Sequence, residues 1–243
     1  MHEQWKAEQL QLKTKLIEMD VVQWQLSGAT PSDETTDCKV LKRVAGVDIS
    51  FLKGSSEHAC ASIVVLEYPS LSVLYEAFAY VSLPAPYIAG FLAFREVPAL
   101  TKLYDDLRRR RPDLLPDVTL VDGNGVLHPQ GFGLASHFGV LESVPTSSRG
   151  NHDLVKLAGK SGKVWGAALC GTAGVKNPVY VSVGHMLSLD SSVAIAQACS
   201  QYRVPEPIRQ ADLRSREVIR QWESAGAVDT TLDLYHAYPA PEA

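Results

Sequence analysis

Residues 44–51 read VAGVDISF, residues 62–66 read SIVVL and residues 73–81 read VLYEAFAYV. Each run is short and rich in β-branched or aromatic residues. Turn formers close the first two, Lys53-Gly54-Ser55-Ser56 and Pro69-Ser70. Such runs are strands, and three in succession predict an antiparallel meander over residues 44–49, 62–66 and 73–81. Downstream the pattern alternates. A helix is expected over residues 98–110, a strand over 118–121, a helix over 133–141, strands over 164–169 and 179–183, and helices over 188–199 and 208–222. Three strands followed by alternating helices and strands predict an α/β domain, a mixed β-sheet flanked by helices. Upstream, residues 3–19 predict an amphipathic helix with Trp5, Leu12, Leu16 and Met19 near one face. The polar stretch SGATPSDETTD at residues 27–37 predicts a loop. Nothing reads as a linker between domains. A single domain over residues 1–223 is expected, with a small, acidic, proline-containing tail over 224–243 expected to be loose.

Composition narrows the function classes. With 46% hydrophobic and 21% charged residues in 243, the chain is not mostly disordered and can bury a large core. The formal charge of −4 excludes a protein coated in positive charge. A nucleic-acid site must then be a local patch or must recruit metal ions. Cys38, Cys60, Cys170 and Cys199 are scattered without a CxxC pair, so free thiols in a reducing compartment are expected rather than a zinc site on paired cysteines. The charged start MHEQWKAEQLQLKTKL is no signal peptide, and no apolar run reaches the ~18 residues that cross a membrane.

Two carboxylates share a local setting. Asp48 follows the apolar run 44–47, and Asp122 follows 118–121. An Asp just past a strand faces the crevice at the sheet's edge, or simply opens a turn. Asp122 starts DGNGVLHPQGFG, where four glycines in twelve residues let a backbone approach a ligand closely. The spacing is neither GxGxxG nor GxxxxGK[ST], so no dinucleotide or P-loop site is supported. Glu96 is the sole acid in the apolar stretch FLAFREVP and needs a cation or an arginine such as Arg95. Asp212, among Arg209, Arg214 and Arg216, suits either a surface helix ion pair or a fourth site acid. If the four converge, oxygen-only ligands select a hard ion, Mg²⁺ or Mn²⁺, and such sites clamp a phosphodiester for attack by water. Tyr87, between Pro86 and Gly90, could be a rigid ring that stacks on a base or an ordinary packing tyrosine. The run Arg108–Arg111 tracks a backbone or caps a helix end. His128, His137 and His185 are each candidates for a supporting base or a structural imidazole.

Taken together, VAGVDISF, PYIAGFLAFREVP (86–98), VDGNGVLHPQGFGLASHFG (121–139), VYVSVGHMLSL (179–189) and RVPEPIRQADLRSRE (203–217) closely resemble endonuclease V, the inosine-directed nuclease family with an RNase H-like fold. The segments follow family order over most of residues 1–223. The resemblance implies that Asp48, Glu96 and Asp122 bind metal and that Asp212 is the fourth acid. It implies that Tyr87 is the aromatic wedge beside a flipped nucleotide, and that Gly90, Leu92 and Gly123 line the hypoxanthine pocket. Flipping is required because a stacked base hides the edge to be read. The family cleaves at the second phosphodiester 3′ to inosine and leaves a 5′-phosphate and a 3′-hydroxyl. Its animal members, which this chain most resembles, prefer RNA, with deoxyinosine DNA as a further substrate, and are associated with cytoplasm and nucleolus. The implied cofactor is Mg²⁺ with Mn²⁺ as substitute, and the charge and lack of heptads fit a monomer.

There are departures. The family normally has Pro where Ala89 stands and often Arg where Gln130 stands. After Pro145 it continues with a buried strand close to P-[CT]-[IV]-G-V-A-K, whereas this chain has TSSRGNHDLVKLA at residues 146–158. That segment is polar and predicts no obvious strand, and the lysine ending the family strand has no aligned counterpart. Lys156 and Lys160 are the nearest candidates. Two readings follow: a metal-dependent endoribonuclease, and a protein that binds inosine-containing RNA without cutting it.

Overall fold

The computed structural model describes residues 1–21, 24–26, 39–148, 154–169, 178–224 and 235–237. Helix α1 (His2–Lys13) leads into the short strands β1 (Trp24–Gln25) and β2 (Lys39–Val40), which pair in parallel. Then comes the meander, β3 (Arg43–Phe51), β4 (His58–Glu67) and β5 (Val73–Ser82), antiparallel throughout as expected. Helix α2 (Leu92–Arg110) returns the chain to β6 (Val118–Val121), which pairs in parallel with β3. Helix α3 (Leu134–Glu142) and β7 (Thr146–Ser148) follow, then β8 (Leu154–Ala158), β9 (Val164–Leu169), β10 (Val179–Val181) and β11 (Val183–His185). Helices α4 (Leu189–Ala198) and α5 (Glu206–Ser224) and a strand β12 (Tyr235–Ala237) complete the described chain. The main sheet has the order β11-β7-β6-β3-β4-β5-β12, and β10-β9-β8 form a second, three-stranded sheet. This is the mixed α/β sheet flanked by helices that the sequence pattern predicts.

The strands at the centre are apolar on both faces because both are covered. Ala45, Val47, Ile63, Val65 and Val121 pack beneath α2 and α3 with Leu100, Leu103 and Phe138. Val44, Val64, Leu66, Val118 and Leu120 face the opposite way, against Ala167, Leu169, Ile195, Ile208 and Ala211. Alternate residues therefore serve alternate cores, and β6 is buried along its whole length, with Thr119 its one polar residue. Gly46 lets α5 settle directly on β3: a Cβ there would lie 2.0 Å from the carbonyl oxygen of Pro207. Among the described residues, no helix is long and apolar enough to cross a membrane. Cys60 and Cys199 are free and buried.

Several elements differ from expectation. Helix α1 stops at Lys13 instead of reaching residue 19, because the chain finds better partners elsewhere. Ile17 donates its N–H to His185 Nδ1 at 3.2 Å and accepts from Met186 N at 2.8 Å. Met19 is consequently exposed. Helix α2 begins six residues before Pro98 and runs through it. Proline removes one intrahelical bond, but the buried face of Ala93, Val97, Leu100, Leu103 and Leu107 offsets that loss. The expected strand over 179–183 is two strands in two sheets. The switch is at Ser182, whose N–H donates to Ser148 Oγ (2.7 Å) and whose carbonyl accepts from Ser148 N (3.1 Å).

The segment 146–158 forms strands after all. Thr146–Ser148 pairs with β6 in parallel and with β11 antiparallel, and is fully buried. Its hydroxyls make this tolerable by bonding inward: Thr146 Oγ1 to the carbonyl of Ala135 (2.9 Å), and Ser148 Oγ with Ser182 Oγ (3.1 Å). Of the C-terminal tail, Tyr235–Ala237 pairs antiparallel with β5 and so is not loose; residues 225–234 and 238–243 lie outside the described residues. So does the expected loop at 27–37, together with Cys38 and Cys170.

Candidate active site

Register brings the first two acids together. Strands β3 and β6 run parallel with Val47 opposite Val121, so Asp48, which lies inside β3 and not just past it as expected, and Asp122, which follows β6, stand at the same level. Asp122 N donates to the carbonyl of Val47 at 3.3 Å. Adjacent strands lie about 4.8 Å apart, which sets the two carboxylates against each other where β6 ends. Asp212 reaches the same place from α5, through the close approach at Gly46. Asp48, Asp122 and Asp212 line one open cleft of about 540 Å³ with Ser50, Phe51, Arg203 and Arg216. Glu96 comes from α2 and is buried.

Electrostatics couples Asp48 to Asp122 and Asp212, and Glu96 to Asp48 and Asp122. Burial, then the charge of Asp122, pushes the Asp48 carboxyl up to about 6; a hydrogen bond from Ser50 opposes this, and Asp212 adds to it. Burial, then the charge of Asp48, pushes Glu96 up to about 7; Arg95 opposes this and Asp122 adds to it. Ser50 Oγ donates to Asp48 Oδ2 at 3.0 Å and lies 2.8 Å from Ser215 Oγ on α5, so the helix also orients the strand's carboxylate. Asp212 forms the helix ion pair with Arg216 at 2.7 Å and also lines the cleft. A crowded set of hard oxygen donors, two of them destabilised as anions, fits a divalent cation by donor type and charge. Among the described residues no three His, Cys, Asp or Glu side chains form a closed coordination cluster. The acids thus bound an open cleft and not a preassembled cage.

A second cavity begins at Gly123, the residue after Asp122 of the cleft. It measures about 170 Å³ and is lined by Tyr87, Gly90, Leu92, Gly123, His128, Phe132 and neighbours. Drug-sized ligands occupy roughly 300–1,000 Å³, so this space suits a single ring system. Tyr87 is 68% exposed at its rim, which excludes the ordinary packing role. His128 lines the cavity and accepts from Gln130 N through Nδ1. His185 does not line the cleft; its Nδ1 accepts the Ile17 N–H, a structural role. His137 is buried between Phe94 and Phe132, and burial lowers it to about 4. Lys156 lies 3.7 Å from Asp190, and neither it nor Lys160 lines the cleft. The run Arg108–Arg111 is paired with Asp105, Asp106, Asp113 and Glu142, a helix end and not a nucleic-acid track. Arg203 lines the acid cleft and escaped sequence reading, because nothing in RVPEP marks an arginine as facing a carboxylate cluster across the fold.

A family model described as endonuclease V matches residues 25–213. Endonuclease V of Mus musculus is 44% identical over 241 residues, covering 89% of this chain and 69% of the mouse protein. The Homo sapiens protein is 44% identical over 243 residues, covering 89% and 83%. The crystal structure of the catalytic domain of human endonuclease V matches with a TM-score of 0.82 at 44% identity, over 92% of this chain and 97% of that one. Ciona intestinalis endonuclease V, in complex with a 24mer DNA containing an inosine followed by a ribo-adenosine, matches with a TM-score of 0.78 at 28% identity, over 90% and 98%.

Proposed function

Because the chain belongs to the endonuclease V family of nucleases and has its RNase H-like fold, we propose that it is a metal-dependent endoribonuclease that cuts inosine-containing single-stranded RNA at the second phosphodiester 3′ to inosine. Deoxyinosine DNA is a further substrate on this reading, as the Ciona complex with inosine-containing DNA supports. The observation that carries it is a cleft lined by Asp48, Asp122 and Asp212, with buried Glu96 coupled to the first two, and a ring-sized cavity that begins at Gly123, one residue past Asp122.

Asp48, Glu96, Asp122 and Asp212 would hold one or two Mg²⁺ or Mn²⁺ ions, which when bound supply Lewis-acid activation of water and charge neutralisation at the phosphate. The protein's own residues position the strand. Tyr87 stacks where the target base leaves its neighbours, and the cavity walls of Gly90, Leu92, Gly123 and Phe132 admit a flat purine. Arg203 offers a cation to the phosphate beside Asp122. The test is to separate binding from cutting. Asp122→Asn should lose cleavage by at least ~10³-fold while its affinity for the inosine strand changes by less than about 10-fold; parallel loss of both would count against the assigned role.

One observation favours a second reading. Among the described residues no lysine lines the cleft in place of the one absent after residue 145, and Lys156 faces Asp190. A reader that binds inosine RNA without cutting would show the same selective binding and no metal-dependent product. A monomer in the cytoplasm and nucleolus is part of the leading proposal.

A further inference from the structure

We propose that Gln9 is a positioning residue: its side-chain amide ties together the two loops that bound the base cavity and so sets the selectivity of that cavity. The inference rests on the nuclease reading only for the identity of the base; the tie itself stands on geometry.

Residues 5, 9 and 12 fall on one face of α1, at the i, i+4, i+7 spacing of a buried stripe. Trp5 stacks on Phe94 at 5.3 Å and meets Phe91 at 6.4 Å, at one end of the stripe. Leu12 packs with Phe132 and Val140 at the other end. A third apolar residue is expected between them. The chain has instead a glutamine, and it is only 3% exposed. Burying an amide is costly unless its donors are used, and here they are. Gln9 Nε2 donates to the carbonyl of Gly90 at 3.1 Å and to the carbonyl of Phe132 at 3.0 Å. Both partners are acceptors only, so the NH₂ group must face them.

The two carbonyls belong to different walls. Gly90 ends the loop carrying Tyr87, and Phe132 belongs to the glycine-rich loop that starts at Asp122; both line the 170 Å³ cavity. They are remote in sequence from each other and from Gln9. The Gly90 side is also conformationally demanding, since its φ of +85° is one that a side chain rarely adopts. Its missing Cβ would lie 3.0 Å from Gln130 Oε1, on the opposite loop. The walls are therefore in near contact, and one amide fixes their separation from behind. A cavity that tells hypoxanthine from adenine needs walls held to a fraction of an ångström, because a loose pocket admits both.

The test compares wild type with Gln9→Glu and Gln9→Met. Glutamate keeps the shape but sets an oxygen against two carbonyl oxygens. Methionine keeps the length without a donor, and serves if the glutamate variant fails to fold. Amide hydrogen exchange is read at residues 88–91 and 131–135, with steady-state cleavage of inosine- and adenosine-containing strands. Exchange should speed up by ~10-fold or more in both loops together, with the melting temperature within a few degrees of wild type. KM for the inosine strand should rise ~10-fold with kcat within about 3-fold, and the preference over adenosine should fall by a similar factor. Unchanged exchange in either loop overturns the tie. Loosened loops with unchanged KM and preference overturn its role in selectivity. A wild type that prefers neither strand would sink the nuclease reading instead, and the exchange data would still decide whether Gln9 ties the loops.

Discussion

Asp48 lies within β3, a strand covered on both faces, and Asp122 follows the neighbouring strand at the same level. Holding Asp48 ionised at pH 8, against a carboxyl pushed up to about 6, costs roughly 3 kcal/mol at ~1.4 kcal/mol per pH unit. A divalent cation offsets that cost by binding only the folded state. In chelator at pH 8, Asp48→Asn should therefore melt higher than wild type, and it should lose most of the Mg²⁺-induced rise in melting temperature that wild type displays. An equal Mg²⁺ shift in both proteins would rule Asp48 out as a ligand. His137 has the opposite sign. The unfolded chain binds a proton near pH 6.5, and the folded chain only near 4, because the ring is buried between Phe94 and Phe132. Its contribution is present above pH 6.5 and is lost as pH falls toward 4, up to roughly 3 kcal/mol. Urea melts at pH 7 and pH 4.5 should give a smaller acid loss for His137→Leu than for wild type; equal losses would mean that the ring is not held neutral.

Elements place these residues, and single contacts place the elements. Gly46 admits α5 against β3, so Gly46→Ala should cost about 1–3 kcal/mol of stability by overpacking. It should also reduce cleavage more than its stability loss explains, because Asp212 and Ser215 move with the helix; normal activity with a normal melt would refute the close approach. Ser148 makes four hydrogen bonds with Ser182 at the point where β10 passes into β11. Ser148→Ala leaves a buried N–H unpaired and should cost about 1–3 kcal/mol, read as a lower urea midpoint with unchanged slope. The same strand marks the limit of sequence reading. Strands β3 to β6 were legible because apolar, β-branched runs fit a sheet covered on both sides. Thr146–Ser148 was not, because its burial depends on partners in Ala135 and Ser182 that no local pattern reveals. The four acids were legible as a group only through family resemblance. Spacing alone left Asp212 open between ion pair and site; it pairs with Arg216 and also lines the cleft. Gln9 was hidden for the same reason as Arg203: its significance lies in two carbonyls remote in the chain.

At the scale of the molecule, charge is organised and not spread. The chain carries −4 overall, its one run of four arginines is spent on carboxylates, and the acid cleft holds Arg203 and Arg216 as its cations. Binding to single-stranded RNA should then neutralise few phosphates, giving a log–log salt slope between roughly −0.7 and −2; a slope steeper than about −4 would point to a basic surface elsewhere. On the proposed function, the carboxylate cleft and the ring-sized cavity form one active centre. The most direct measurement is cleavage of an end-labelled single-stranded RNA with one inosine, beside its adenosine twin, in Mg²⁺ and in chelator. A single cut one nucleotide 3′ of the inosine, present only with metal and absent from the twin, is the predicted result. A metal-independent cut, equal cutting of both strands, or selective binding with no cut at all would contradict it.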